Sequence, residues 1–184
     1  MKKLMIVFFI LLTGGSVIAA ILGGFLFSPE PFDIEIIQHQ HMLSIPNKEF
    51  SEIDVDYTFT DSKKTYQLRY SLFKQIENTD EDIMMPYSMF ILPLMLNISG
   101  NESSIRSTQR FNDADVKNDF NGDFGTTVYI ERPRSEFGGG YRYLILNFYC
   151  KKNQGIVVQS ILFNNMNIMK NENFVEIFNS FKFR

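Results

Sequence analysis

Apolar and polar residues alternate along two long stretches of this chain, and these set its first predicted elements. Ile53, Val55, Tyr57 and Phe59 alternate with Asp54, Asp56, Thr58 and Thr60, while Tyr66, Leu68, Tyr70 and Leu72 alternate with Gln67, Arg69 and Ser71. A period of two is the pattern of a strand with one face toward a core and the other toward water. Asp61-Ser62-Lys63-Lys64 lies between them and suits a short reversal, so the pattern predicts an antiparallel hairpin from about Ile53 to Phe73. Tyr141 to Lys152 and Gly155 to Asn164 are rich in β-branched and aromatic residues and meet at Asn153-Gln154-Gly155, which predicts a second hairpin. Thr126 to Glu131 is strand-like, with Val128 and Ile130 opposed to Tyr129. Phe32 to Ile45 reads as extended, with Ile34 and Ile36 opposed to Glu35 and a strand near Met42 to Ile45.

Helical spacing marks three other places. Met84 to Ile98 is apolar almost throughout and follows the polar break at Asn78 to Asp82, so a buried helix is expected there, kinked at Pro93. With Pro86 and Pro93 inside only 15 residues, it is too short and too interrupted for a membrane span. Asn112 or Asp113 can cap a short helix that carries Val116 and Phe120 and ends at Asn121-Gly122. Phe174, Ile177, Phe178 and Phe181 fall at helical spacing and predict a closing amphipathic helix from about Glu172. Ser99 to Gln109 is polar and reads as a loop, and Arg132 to Gly140 as a mobile one because it ends in three glycines. The elements add up to an α+β fold: an antiparallel sheet of about six strands flanked by helices, forming one globular domain over residues 42–184.

The longest apolar stretch precedes all of these. Leu4 to Phe27 carries no charge and follows Lys2 and Lys3. As a helix it would reach about 36 Å, against a hydrocarbon core of about 30 Å. One reading is an uncleaved anchor, residues 1–27, with the lysines holding the amino end in the cytoplasm and the domain outside. The other is a secretory signal peptide cut near Ala19 or Ala20, leaving a secreted or periplasmic protein. Length favours the anchor, the Gly14-Gly15-Ser16 break favours cleavage, and the anchor is the reading adopted. Residues 28–41 then read as a juxtamembrane linker stiffened by Pro29 and Pro31. No cysteine lies near residue 20, which excludes a lipoprotein anchor.

Charge and composition narrow the partners. The formal net charge of −3 becomes −5 without Lys2 and Lys3, which argues against a nucleic-acid partner. Cys150 is the single cysteine, so packing alone must hold the fold, and between aromatic strand residues it is expected to be a buried, inert thiol. The richness in Asn, Lys, Ile and Phe resembles the usage of AT-rich bacterial genomes.

Candidate chemistry is sparse. His39 and His41 would share a strand face, but two imidazoles do not close a zinc site and no further ligand falls at a suitable spacing. Asp119 to Gly125 begins like a calcium loop and then fails, with Phe124 where glycine is needed and Ile130 where glutamate is needed. Asp54 and Asp56 read as solvated strand residues, and Asn97 and Asn101 match a glycosylation pattern that matters only in a eukaryotic secretory route. Nucleophilic hydrolysis needs a base near an activated nucleophile, and both histidines lie beside the membrane exit. No catalytic, metal or cofactor residues are therefore assigned. Arg132, Arg134 and Arg142 gather around the glycine-rich loop and could clamp a carboxylate or phosphate, so this loop is the candidate ligand or partner surface.

The order hairpin, helix, helix, strand, hairpin and closing helix, ending in Ser180-Phe181-Lys182-Phe183, resembles the PsbP-like family over roughly residues 42–183. The resemblance implies an antiparallel sheet covered by helices on both faces, used as a non-catalytic module in binding or assembly. It carries over no functional residues, and the lack of a thylakoid-type transit segment argues against the photosynthetic members. The expectation is a bacterial envelope protein held at the membrane through Leu4 to Phe27, whose domain binds a protein partner. A soluble exported enzyme or small-ligand binder is the alternative.

Overall fold

Strand β8 (Tyr143–Lys151) sends Leu144, Leu146, Phe148 and Cys150 to one side and Ile145 and Tyr149 to the other, and all of them are buried. A strand that is dry on both faces needs a layer above and a layer below it. The computed structural model, which describes residues 25–27, 34–37, 42–47, 50, 53–74, 84–152, 154–170 and 172–184, supplies both.

Seven antiparallel strands form the main sheet: β3 (Met42–Ser44), β4 (Tyr57–Asp61), β5 (Tyr66–Lys74), β6 (Ile105–Arg110), β7 (Phe124–Glu131), β8 and β9 (Gly155–Phe163). Their order is β3-β4-β5-β9-β8-β7-β6, so the two predicted hairpins lie side by side with β5 paired to β9 along its whole length. Asp61 closes the first hairpin by accepting from the Thr65 N–H at 2.6 Å and the Tyr66 N–H at 3.2 Å, with Lys64 at φ 53°. A smaller sheet, β1-β2-β10, joins Phe25–Phe27, Ile34–Ile37 and Phe181–Phe183.

On one face of the main sheet, Phe59, Leu68, Tyr70, Ile145, Tyr149 and Ile161 form a core with three covering elements. These are the small sheet, α2 (Asp113–Phe120) and α4 (Glu172–Phe178). Asn112 caps α2 as its spacing predicts, accepting from the Ala114 N–H at 2.8 Å, and Asn121 ends it in the left-handed region. On the opposite face, Ile91, Leu94, Met95 and Ile98 of α1 (Met84–Ser99) pack on Val128, Ile130, Leu144, Leu146 and Phe148. Helices thus lie on both sides of an antiparallel sheet.

Four features depart from the pattern-based reading. Phe25–Phe27 pair with β2 as a strand, Phe25 opposite Ile37, so the apolar stretch is not helical to its end; residues 1–24 lie outside the described residues. Among the described residues no helix is long and apolar enough to cross a membrane. Ile34 and Ile36 are fully buried against the domain core, because the alternation with Glu35 that marked them as extended also gives them a core face. The stretch read as a loop contains β6, an edge strand on which every residue after Ile105 is exposed and no alternation is required. The Arg132 to Gly140 segment holds a helical turn, α3 (Ser135–Gly138), pinned by the fully buried Phe137.

The polar face of the first hairpin is also not wet. Thr58, Thr60, Arg69 and Ser71 are each 5% exposed or less. They occupy the same side of the sheet as the α1 core, but at its β3-β4-β5 end, where Phe50 and Phe137 pack against Arg69.

Candidate functional site

The arginines singled out by sequence do not converge. Arg142 donates to Glu131 at 3.1 Å, and Arg106 reaches the other oxygen of the same carboxylate at 2.8 Å. These two donors, Arg142 first, hold the Glu131 carboxyl below its ordinary range. Arg134 leads into α3 with its backbone N–H on the Ile98 carbonyl, and its guanidinium lies 3.7 Å from Glu136 and 3.4 Å from the Asn97 carbonyl. Arg132 is exposed at φ 60°, its backbone N–H bonded to the Arg142 carbonyl. Two of the three are thus engaged within the chain, and the loop presents no shared clamp built from all three.

The other sequence candidates resolve into structural roles. Asp123 accepts from the Lys152 N–H at 2.6 Å and Asn121 Nδ2 donates to the Phe183 carbonyl at 3.0 Å, so the Asp119 to Gly125 turn joins α2 to the sheet. No group of three or more His, Cys, Asp or Glu side chains that could hold a metal ion occurs among the described residues, and His39 and His41 lie outside them. Cys150 is buried, and burial, with Asp123 adding to it, pushes its thiol up to about 12. Asp54 and Asp56 precede β4, and Asp56 accepts from the Leu72 N–H at 2.8 Å. Burial raises the Asp56 pKa, the Leu72 bond opposes that, and Asp54 adds to it. Asn101 caps a single turn at Glu102–Ser104.

The Ser180-Phe181-Lys182-Phe183 ending is core material. Ser180 Oγ donates to the Ile177 carbonyl and accepts from Tyr70 OH. Gln159 Nε2 divides its N–H groups between Tyr70 OH and the Ile177 and Phe178 carbonyls at 3.1–3.3 Å, while its Oε1 accepts from Asn147. These fully buried groups satisfy the carbonyls at the end of α4, and Phe181 and Phe183 fill the space below.

A different arginine sits in a cleft. Arg69, on β5 opposite Thr58, is 4% exposed and lies against a pair of rings, with its guanidinium carbon 4.4 Å from the Phe50 centroid and 4.9 Å from that of Phe137. Its Nε donates to Gln67 Oε1 and its Nη1 to the Phe137 carbonyl, both at 2.7 Å. Neither acceptor is a carboxylate, and among the described residues Arg69 has no ion-pair partner. Burial lowers its pKa to about 10, with the Tyr141 hydroxyl acting in the other direction. The cleft beside it, about 80 Å³, is lined by Ile45, Pro46, Phe50, Thr58, Gln67, Gly139 and Tyr141. Burial raises the Tyr141 phenol, opposed by a hydrogen bond with Thr60.

Sequence reasoning missed this cleft because Arg69 sits where alternation assigns a water-facing residue. The one available signal was the run Thr58, Thr60, Gln67, Arg69 and Ser71, a polar face with a single charge in it.

No protein-family model matches the sequence, and no curated protein matches it. Among solved structures, the chain matches the solution structure of cyanobacterial PsbP (CyanoP) from Synechocystis sp. PCC 6803 at 9% identity, covering 86% of this chain and 91% of that one with a TM-score of 0.50. At that identity the likeness is one of fold alone, and it bears out the PsbP-like resemblance at that level: this chain has a fold similar to that of cyanobacterial PsbP.

Proposed function

We propose that this chain is a membrane-anchored bacterial envelope protein whose exported domain serves as a non-catalytic binding or assembly module. The observation that carries the binding role is the Arg69 cleft. A buried cation with no carboxylate beside it, among the described residues, is a receptor more than a finished structural pair, because charge taken out of water is normally matched within the fold. The described lining sets two hydroxyls, Thr58 and Tyr141, the Gln67 amide and apolar surface around the guanidinium, which suits recognition of an anionic end group.

Support for the anchor comes from Lys2, Lys3 and the uncharged run that follows. With Phe25 in β1, the run from Leu4 to Gly24 as a helix would still reach about 31 Å. The chain would pass from anchor into sheet without a free tether, and the domain would sit against the bilayer.

The test is a pull-down with the full-length tagged chain from detergent-solubilised membranes, against an unrelated protein carrying the same anchor segment. A partner enriched over that control is expected, and none would overturn the module. The second reading, an exported small-ligand binder with a cleaved signal peptide, is favoured by Gly14-Gly15-Ser16 and Ala19-Ala20 and predicts a soluble mature chain.

A further inference from the structure

The geometry points to the Arg69 cleft as a binding site for a carboxylate carried on a partner protein, an acidic side chain inserted carboxylate-first with its stem along Ile45, Pro46 and Phe50. This rests on the domain being a binding module and names the chemistry that module recognises.

Three features define the ligand. The first is the direction of approach. The Phe50 and Phe137 centroids are only 5.1 Å apart, so both rings shield the guanidinium from the same side and a ligand must reach it from the side they leave open. Nε and one N–H of Nη1 are already used, and of the five guanidinium donors the Nη2 pair and the second Nη1 N–H have no acceptor among the described residues. Those donors form the edge toward Gly139, where an added Cβ would stand 3.6 Å from Nη2. Gly139 adopts φ 59°, a backbone conformation that suits glycine.

The second feature is charge. Hydrogen bonds to neutral acceptors and contacts with two rings orient the cation but leave its charge unmatched, and a carboxylate at its free donors gains two parallel charge-assisted bonds. Its binding would also reverse the lowering of the Arg69 pKa.

The third is size. At about 10–15 Å³ for each water-sized position, the cleft holds roughly five to eight, well below the ~300 Å³ or more of a site that encloses a whole small molecule. That is room for an end group and its stem, and the lining changes from polar at Arg69, Gln67, Thr58 and Tyr141 to apolar at Ile45, Pro46 and Phe50.

The test is an NMR titration of the full-length chain in detergent micelles, following the Arg69 Nε–Hε and Tyr141 backbone signals. The probes are N-acetyl-glutamic acid amide, N-acetyl-glutamine amide, glutarate and inorganic phosphate. The expected result is saturable shifts at both signals with the glutamic acid derivative and none with its neutral counterpart. Arg69→Gln should weaken the binding about tenfold or more, and Arg69→Lys, which keeps charge but loses the fork, should weaken it to an intermediate extent. Since Arg69→Gln removes a buried group and can fail to fold, the wild-type titration decides by itself. Four outcomes overturn the proposal. No shift with the glutamic acid derivative removes the site. Tighter binding of phosphate removes the carboxylate. Glutarate bound about tenfold better than the glutamic acid derivative makes the ligand a free diacid. Binding seen only in a Glu49→Gln/Glu52→Gln variant makes the occupant a carboxylate of this chain. A partner still captured in the pull-down after any of these leaves the module standing with another surface.

Discussion

Cys150 shows what burial does to a single group with no partner of opposite charge. Folding holds its proton from the ordinary 9.0 up to about 12, so the native state keeps a proton that the unfolded chain releases. Stability from this thiol is complete below pH 9 and is lost as pH rises from 9 toward 12. Tyr70 acts in the same direction between 10 and about 12, chiefly through burial and against its bonds to Ser180 and Gln159. Arg69 acts in the opposite direction above about 10, because there the folded chain gives up a proton that the unfolded chain keeps. Between pH 9 and 10 Cys150 is therefore the cleanest contributor of the three. The unfolding free energy should fall there with a slope approaching 1.4 kcal/mol per pH unit, at about the value for one proton, and Cys150→Val should flatten it. Urea midpoints at closely spaced pH values would measure this, and equal slopes in the two proteins would contradict it. The inert, buried character of Cys150 was legible from its aromatic neighbours. Arg69 was not, since a strand's period of two separates its faces but cannot say what covers the polar one.

At the scale of elements, those whose own residues carry the pattern were legible and those defined by their neighbours were not. Both hairpins, the Asn112 cap and the helix from Glu172 follow from alternation, capping chemistry and helical spacing. Strand β6 follows only from its place beside β7, since its side chains project into water. Strand β10 was hidden inside the helical spacing that led to Phe181: that ring continues the helical periodicity, yet the chain has already left the helix at Ser180. Phe181 stacks 5.3 Å from Phe120 and lies 4.8 Å from Tyr149, whereas Lys182 points outward between the two buried phenylalanines. Phe181→Ala should cost about 3–5 kcal/mol by chemical denaturation. Lys182→Ala should stay within about 0.5 kcal/mol. Similar costs for both would mean that β10 is not a core strand and that the ending is not structural.

For the whole molecule, the two ends of the described chain meet in one small sheet, with Glu35 opposite Lys182 and 3.3 Å from Arg184. β1 lies on the other side of β2, so the last residues of the apolar run are tied into the domain and do not trail from it. This geometry gives the address of the protein a mechanical meaning. If Leu4 to Gly24 is retained, the small sheet is held at the bilayer surface. The two dry faces of β8 emerge from the structure. The main sheet was legible as antiparallel from its two hairpins, and helices on both faces were expected from the PsbP-like resemblance. The small sheet was not, because β1 lies inside an apolar run whose length alone suits a membrane helix. Retention of that run is the central claim, and the intact mass of the mature protein in separated membrane and soluble fractions tests it most directly. The account predicts a membrane-bound chain that still contains Leu4 to Gly24; a soluble chain beginning near Ala20 or Ile21 would contradict it.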